Sequence, residues 1–295
     1  MVWVKSRELN SDQRVFELSS PPNPFSESPP PGTAAQATNL QPASPVPPPA
    51  ENPVWTGWDV LLIAVLMFLT PFLLLPLIFG VAHRLLFRGV PWSQLAQKPA
   101  LALITQFLAY IAVLFCMVAL VEGKYHVRFF QALGWNWPQP RNAQLRLAGL
   151  GFVLLFGLQG LAHFLPIPKS VPFDQFFQHP LDAYLTAIFA VSLGPFMEEV
   201  FFRGFLYPLL ARRLGTVAAI LLTALGFALL HAMQLGFAWG AVFIIFIVGV
   251  TLTVVRAVTH SVAASFLVHV AYNSTLMILT FVATGGFRHL ERLNP

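Results

Sequence analysis

Blocks of about 20 apolar residues recur along this chain, and at 1.5 Å per residue each is long enough, as a helix, to cross a 30 Å hydrocarbon layer. That repetition fixes the solvent: 56% of the 295 residues are hydrophobic and only 10% are charged, against about a quarter charged in a soluble domain. A water-soluble globular enzyme is excluded. In a bilayer the backbone must satisfy its own hydrogen bonds, so apolar segments of this length imply helices. The expected fold is an all-α, polytopic transmembrane helical bundle of seven or eight helices.

The spans are expected at about Val60–Ala82, Ala100–Val121, Leu147–Leu165, Leu181–Met197 with a helical continuation to Arg213, Leu214–Ala232, Phe237–Val255 and Ser261–Ala283. Whether Gly194 and Pro195 break one helix into two decides the count. Trp55 and Trp58 precede the first span as an interfacial belt. Before them, residues 1–54 read as a disordered Pro-rich tail, since Pro, Ser, Ala and Asn bury too little surface to offset ordering entropy. The remaining divisions are expected at 55–180 for N-terminal helices and interfacial segments, 181–283 for a catalytic helical core, and 284–295 for a C-terminal tail.

Seventeen basic and 12 acidic residues give a formal charge of +5, but the basic ones sit mostly in short segments between apolar blocks. They read as topology signals facing membrane lipids rather than as a nucleic-acid footprint. Lys124, Arg128, Arg141, Arg146, Arg212 and Arg213 fall on one set of loops, and Arg84, Arg88, Lys98 and Lys169 on the other. This small bias predicts a cytoplasmic N-terminus in a cell inner membrane. The start, MVWVKSRELN, lacks the apolar core of a cleaved secretory signal. Cys116, the one cysteine, can form neither an intrachain disulfide nor a Cys-rich metal site.

Ionisable side chains at membrane depth cost about 2.5 to 3.5 kcal/mol each on insertion scales, so they mark polar interiors with a purpose. Three groups occur in the C-terminal half: GPFMEEVFFRG at 194–204, FALLH at 227–231 and HVAYN at 269–273. Glu199 and Arg203 have the order and spacing of a helical ion pair, a structural support. Glu198 is rotated about 100° from Glu199 and is free for another neighbour. Pro195 deprives the carbonyl of Val191 of its helical donor, which predicts a kink and a hydrated pocket beside Glu198. His269 and Asn273, four apart, aim two donors into one site. A carboxylate, an imidazole and a separate His/Asn pair fit activation of water, proton transfer and oxyanion stabilisation, which is the chemistry of amide hydrolysis. An intramembrane histidine can equally be an interhelical hydrogen bond. His163, His260 and Gln106, without a patterned partner, are read as structural or interfacial.

The ordered triple EEVFFR, FALLH and HVAYN resembles the CAAX protease and bacteriocin-processing (abortive infection) family of intramembrane proteases, which includes the type II CAAX prenyl endopeptidases. The resemblance spans roughly Leu181–Leu279. It implies that Glu198 and His231 activate water, that His269 and Asn273 form the oxyanion site, and that Glu199 and Arg203 support the architecture. It also implies a membrane-anchored or lipidated peptide or protein substrate. A Glu and two His could hold zinc with one open position, yet no HExxH is present and Asn273 suits an oxyanion better. No obligatory metal is expected. The alternative function is a non-catalytic membrane scaffold or bacteriocin-immunity factor of the same fold. An ion or proton transporter is disfavoured because no repeat or second acidic cluster is found.

Overall fold

The computed structural model describes residues 51–95 and 97–289. The reading of a disordered tail therefore lies, up to residue 50, outside the described residues, as does 290–295 of the C-terminal tail. Every regular element described is helical. The order is α1 (Gly57–Leu85), α2 (Trp92–Leu95), α3 (Pro99–Val118), α4 (Phe129–Ala132), α5 (Arg141–Ala162), α6 (Pro180–Val191), α7 (Leu193–Glu198), α8 (Tyr207–Leu214), α9 (Thr216–Ala232), α10 (Trp239–Thr259) and α11 (Val262–Ala283). Two π-helical turns, Ala119–Lys124 and Glu199–Leu206, follow α3 and α7 directly, and a 3₁₀ turn covers Pro172–Phe177.

Among the described residues six helical stretches are long and apolar enough to span a bilayer: Gly57–Leu85, Pro99–Lys124, Arg141–Ala162, Pro180–Leu214, Trp239–Thr259 and Val262–Ala283. The 17-residue α9 is apolar but shorter. This is a multi-pass integral membrane protein. Its outer faces carry Phe68, Leu73, Phe115, Val153 and Val258 exposed, as expected where lipid rather than water is the neighbour.

Local chemistry sets the boundaries. Thr56 and Asp59 cap α1 reciprocally, the Thr56 amide donating to Asp59 Oδ2 at 2.8 Å. Asp59 also receives Lys124 Nζ at 2.7 Å and the Tyr125 hydroxyl at 2.5 Å, tying the start of α1 to the end of the α3 stretch. Helix pairs α1/α3, α5/α11 and α9/α10 pack along their lengths. Two glycines permit close approach between helices. A Cβ at Gly151 would collide with the Val268 carbonyl and Ala271 on α11, and one at Gly249 would crowd Ala224 on α9.

One end of the bundle gathers the start of α1 and the ends of α3, α8 and α10, joined by Lys124–Asp59, Arg212–Pro53 and Arg256–Glu51 contacts. The main core lies inside this end and includes Trp55, Met117, Phe129, Met197, Phe201, Phe205 and Phe227.

Candidate active site

The expected kink exists, and it falls at Ser192, three residues before Pro195. Ser192 has φ −130° and ψ −92°, which separates α6 from α7. Proline removes a donor from the turn above and favours a break there. The helix then resumes through Glu198 and widens into the π-helical turn that carries Glu199 to Leu206. Such turns insert extra width into a helix and often sit at functional sites.

This wider turn sends the two acids to different places. Glu199 is fully buried and bonds Arg203 Nη1 at 2.9 Å. Arg203, also fully buried, donates Nη2 to the Gly249 carbonyl at 3.0 Å and Nε to Thr253 Oγ1 at 3.2 Å, both on α10. A buried ion pair is costly unless its remaining groups are hydrogen-bonded; α10 supplies acceptors to the guanidinium, while Glu199 Oε2 is buried without a hydrogen-bond partner among the described residues. Glu198 keeps 14% of its side chain exposed and lies between two imidazoles. Its Oε1 is 3.7 Å from His231 Nε2, on α9, and its Oε2 is 3.6 Å from His269 Nε2, on α11.

Both rings are oriented through their other nitrogen. His231 Nδ1 lies 2.8 Å from the Phe227 carbonyl. A carbonyl only accepts, so Nδ1 holds the proton and Nε2 faces Glu198. His269 Nδ1 donates to Glu199 Oε1 at 2.9 Å. The separations of 3.6 and 3.7 Å exceed a direct hydrogen bond.

The structure thus brings Glu198, His231 and His269 around one space, with Glu199 and Arg203 buried behind them. Asn273 is placed differently. Its Nδ2 donates to the Ala190 carbonyl at 2.7 Å, one of the carbonyls freed where α6 ends. His260 lies outside this group, 3.4 Å from Glu51 at the bundle end.

Three participants carry no mark of their role in the sequence. Gly249 and Thr253 lie in an apolar run with no pattern to flag them as partners of Arg203. Phe227 is the first residue of the FALLH motif and in the sequence sets only a spacing, yet its ring lies 4.6 Å beneath the Arg203 guanidinium, 4.7 Å from the His231 ring and 5.9 Å from His269. Among the described residues no group of three or more His, Cys, Asp or Glu side chains is placed to hold a metal ion.

Helices of membrane-spanning length surround a carboxylate, two imidazoles and a buried ion pair, a set consistent with hydrolysis inside the membrane. Residues 180–275 match the family model described as Type II CAAX prenyl endopeptidase Rce1-like, so the segment carrying all three motifs is a CAAX-protease-like hydrolase domain. Neither the curated proteins nor the solved structures gave a match.

Proposed function

We propose that the protein is an intramembrane endopeptidase that cleaves a membrane-anchored or lipidated peptide or protein, with Glu198 as the general base. The observation that supports this is the position of Glu198, one carboxylate oxygen toward each of two imidazole nitrogens from separate helices. Water held between Glu198 and His231 loses a proton to the carboxylate as its oxygen attacks the scissile carbonyl carbon. The oxyanion then receives hydrogen bonds from the second Nδ2–H of Asn273, whose first is held by Ala190, and from Nε2–H of His269 when that ring carries both protons. As the carbon–nitrogen bond breaks, the proton on Glu198 passes by way of His231 to the leaving amine. The products are a carboxylate and an amine.

In this reading 181–283 is the catalytic core, and 55–180 supplies helices that enclose it. Counting α9 as a crossing gives seven among the described residues. The end that holds Lys124, Arg212 and Arg256 faces the cytoplasm of a cell inner membrane, because basic side chains accumulate on that side. Cysteine-accessibility labelling at the Arg212 and Lys169 positions tests the orientation, and labelling of the Lys169 site from the cytoplasm would reverse it.

The central test uses purified protein in proteoliposomes with a prenylated peptide, followed by mass spectrometry. Glu198→Gln should abolish cleavage while leaving the protein folded. Full activity in that variant would remove Glu198 from the mechanism.

A further inference from the structure

The segment immediately before α1 reaches back to the helix that carries the acids. Trp55 is fully buried, stacks on Phe205 with centroids 4.5 Å apart and 15° between planes, and donates Nε1–H to the Phe205 carbonyl at 2.8 Å. Phe205 lies in the π-helical turn, two residues beyond Arg203. Four residues before Trp55, Glu51 binds Arg256 through both carboxylate oxygens, at 2.7 and 3.1 Å. Arg256 lies on α10, three residues beyond Thr253, the acceptor for Arg203 Nε. Between the two anchors, Arg212 on α8 donates Nη1 to the Pro53 carbonyl at 2.9 Å.

Residues 51–55 therefore connect the same two helices that grip Arg203 from inside. A planar guanidinium–carboxylate fork fixes geometry as well as charge, and a buried indole with its N–H satisfied is a rigid anchor. Tyr207, four residues beyond Arg203, completes the bridge with its ring 5.5 Å from Arg256. Glu51, Pro53 and Trp55 all lie before residue 180, outside the segment that matches the family model.

We infer that Glu51–Trp55 is a strap that fixes the rotation of the Glu199–Leu206 turn against α10, making Trp55 and Glu51 positioning residues for the Glu198/Glu199 site. The inference rests on the hydrolase reading above. Rotation of that turn would swing Glu198 off the two imidazoles and loosen Glu199 from His269, so the strap acts on turnover rather than on substrate capture. A misplacement of about 1 Å far from the chemistry can cost about a hundredfold.

The experiment uses full-length protein in proteoliposomes, with a prenylated peptide as probe and Glu198→Gln alongside. Two readouts are taken: kcat and KM, and amide hydrogen exchange over 199–206 with α5 as internal reference. Trp55→Phe, which retains a stacked ring and loses the N–H, should lower kcat about tenfold or more with KM within about twofold, and should speed exchange over 199–206 but not in α5. Glu51→Gln should act in the same direction, and the reciprocal Glu51→Arg with Arg256→Glu should restore kcat. Unchanged exchange over 199–206 in both single variants, or a rise in KM without a fall in kcat, overturns the strap. If Trp55→Phe does not fold, Glu51→Gln and its reciprocal decide alone. Full activity in Glu198→Gln would instead remove Glu198 from the mechanism, and no cleavage by the unaltered protein would overturn the hydrolase reading, while the exchange measurement would still report whether the strap holds the turn.

Discussion

Glu198 and Glu199, adjacent in the chain, share one histidine: His269 gives Nδ1 to Glu199 at 2.9 Å and turns Nε2 toward Glu198 at 3.6 Å. One ring thus links an ion pair that is completely shielded to a carboxylate that keeps contact with its surroundings. The two acids should respond differently to the same substitution. Glu198→Gln removes the proposed base without removing bulk, and turnover should fall by about 10² to 10⁴ with the melting temperature nearly unchanged. Glu199→Gln strands Arg203 in a buried site, where breaking such a pair costs about 3 to 5 kcal/mol. Its signature is low expression or a lower melting temperature, with a smaller effect on turnover per folded molecule. Equal activity and equal stability of the two variants, measured on purified protein, would contradict this division.

Spacing made part of the site legible. The i,i+4 relation of Glu199 to Arg203 predicts an ion pair, and the 2.9 Å contact has that form. Apolar block length predicts spanning helices, and each one found overlaps a predicted block, shifted by a few residues where caps rather than hydropathy decide the end; Thr56 and Asp59 start α1 at Gly57, ahead of the expected Val60. Other features depend on tertiary partners that no local pattern encodes. Pro195 signals a break, but Ser192 takes it, because only the fold decides which residue near a proline leaves the helix. The π-helical turn after Glu198 is invisible to a 3.6-residue reading. The partners of Arg203 on α10, and of Trp55 on the motif helix, lie 46 to 150 residues away in sequence.

Phe227 should matter through the rings it supports. Its ring lies against Arg203 and contacts both histidines. Contacts of these kinds contribute about 0.5 to 2 kcal/mol, and about 1.4 kcal/mol of lost placement is roughly tenfold in rate. Phe227→Leu should therefore lower kcat about tenfold, and Phe227→Tyr, which keeps the ring, should recover most of it. Leu and Tyr variants of equal turnover would reduce Phe227 to simple filling.

Chelation separates water activated by Glu198 from water activated by a metal. Dialysis against EDTA should leave kcat unchanged, because in the proposed mechanism Glu198 accepts the proton from water and His231 carries it onward. Activity lost on dialysis and restored by zinc would recast Glu198, His231 and His269 as ligands.

One substitution can separate the hold of Asn273 on Ala190 from its proposed oxyanion role. Its amide holds the Ala190 carbonyl at 2.7 Å, so Asn273→Ala removes a hydrogen bond of about 1 kcal/mol net and loosens the end of α6. If the second N–H also meets the oxyanion, that contact forms only in the transition state, and losing it costs about 10² to 10³ in turnover, or roughly 3 to 4 kcal/mol. Stability and catalysis then change by different amounts. The expected result is a fall in kcat of about a hundredfold or more, KM within about twofold, and a small drop in melting temperature, none of it reversed by zinc. A purely structural Asn273 would show the drop in melting temperature with kcat intact, because the clip on Ala190 would be lost while the oxyanion kept its other donors. Measuring kcat, KM and melting temperature on the same preparation decides between the two.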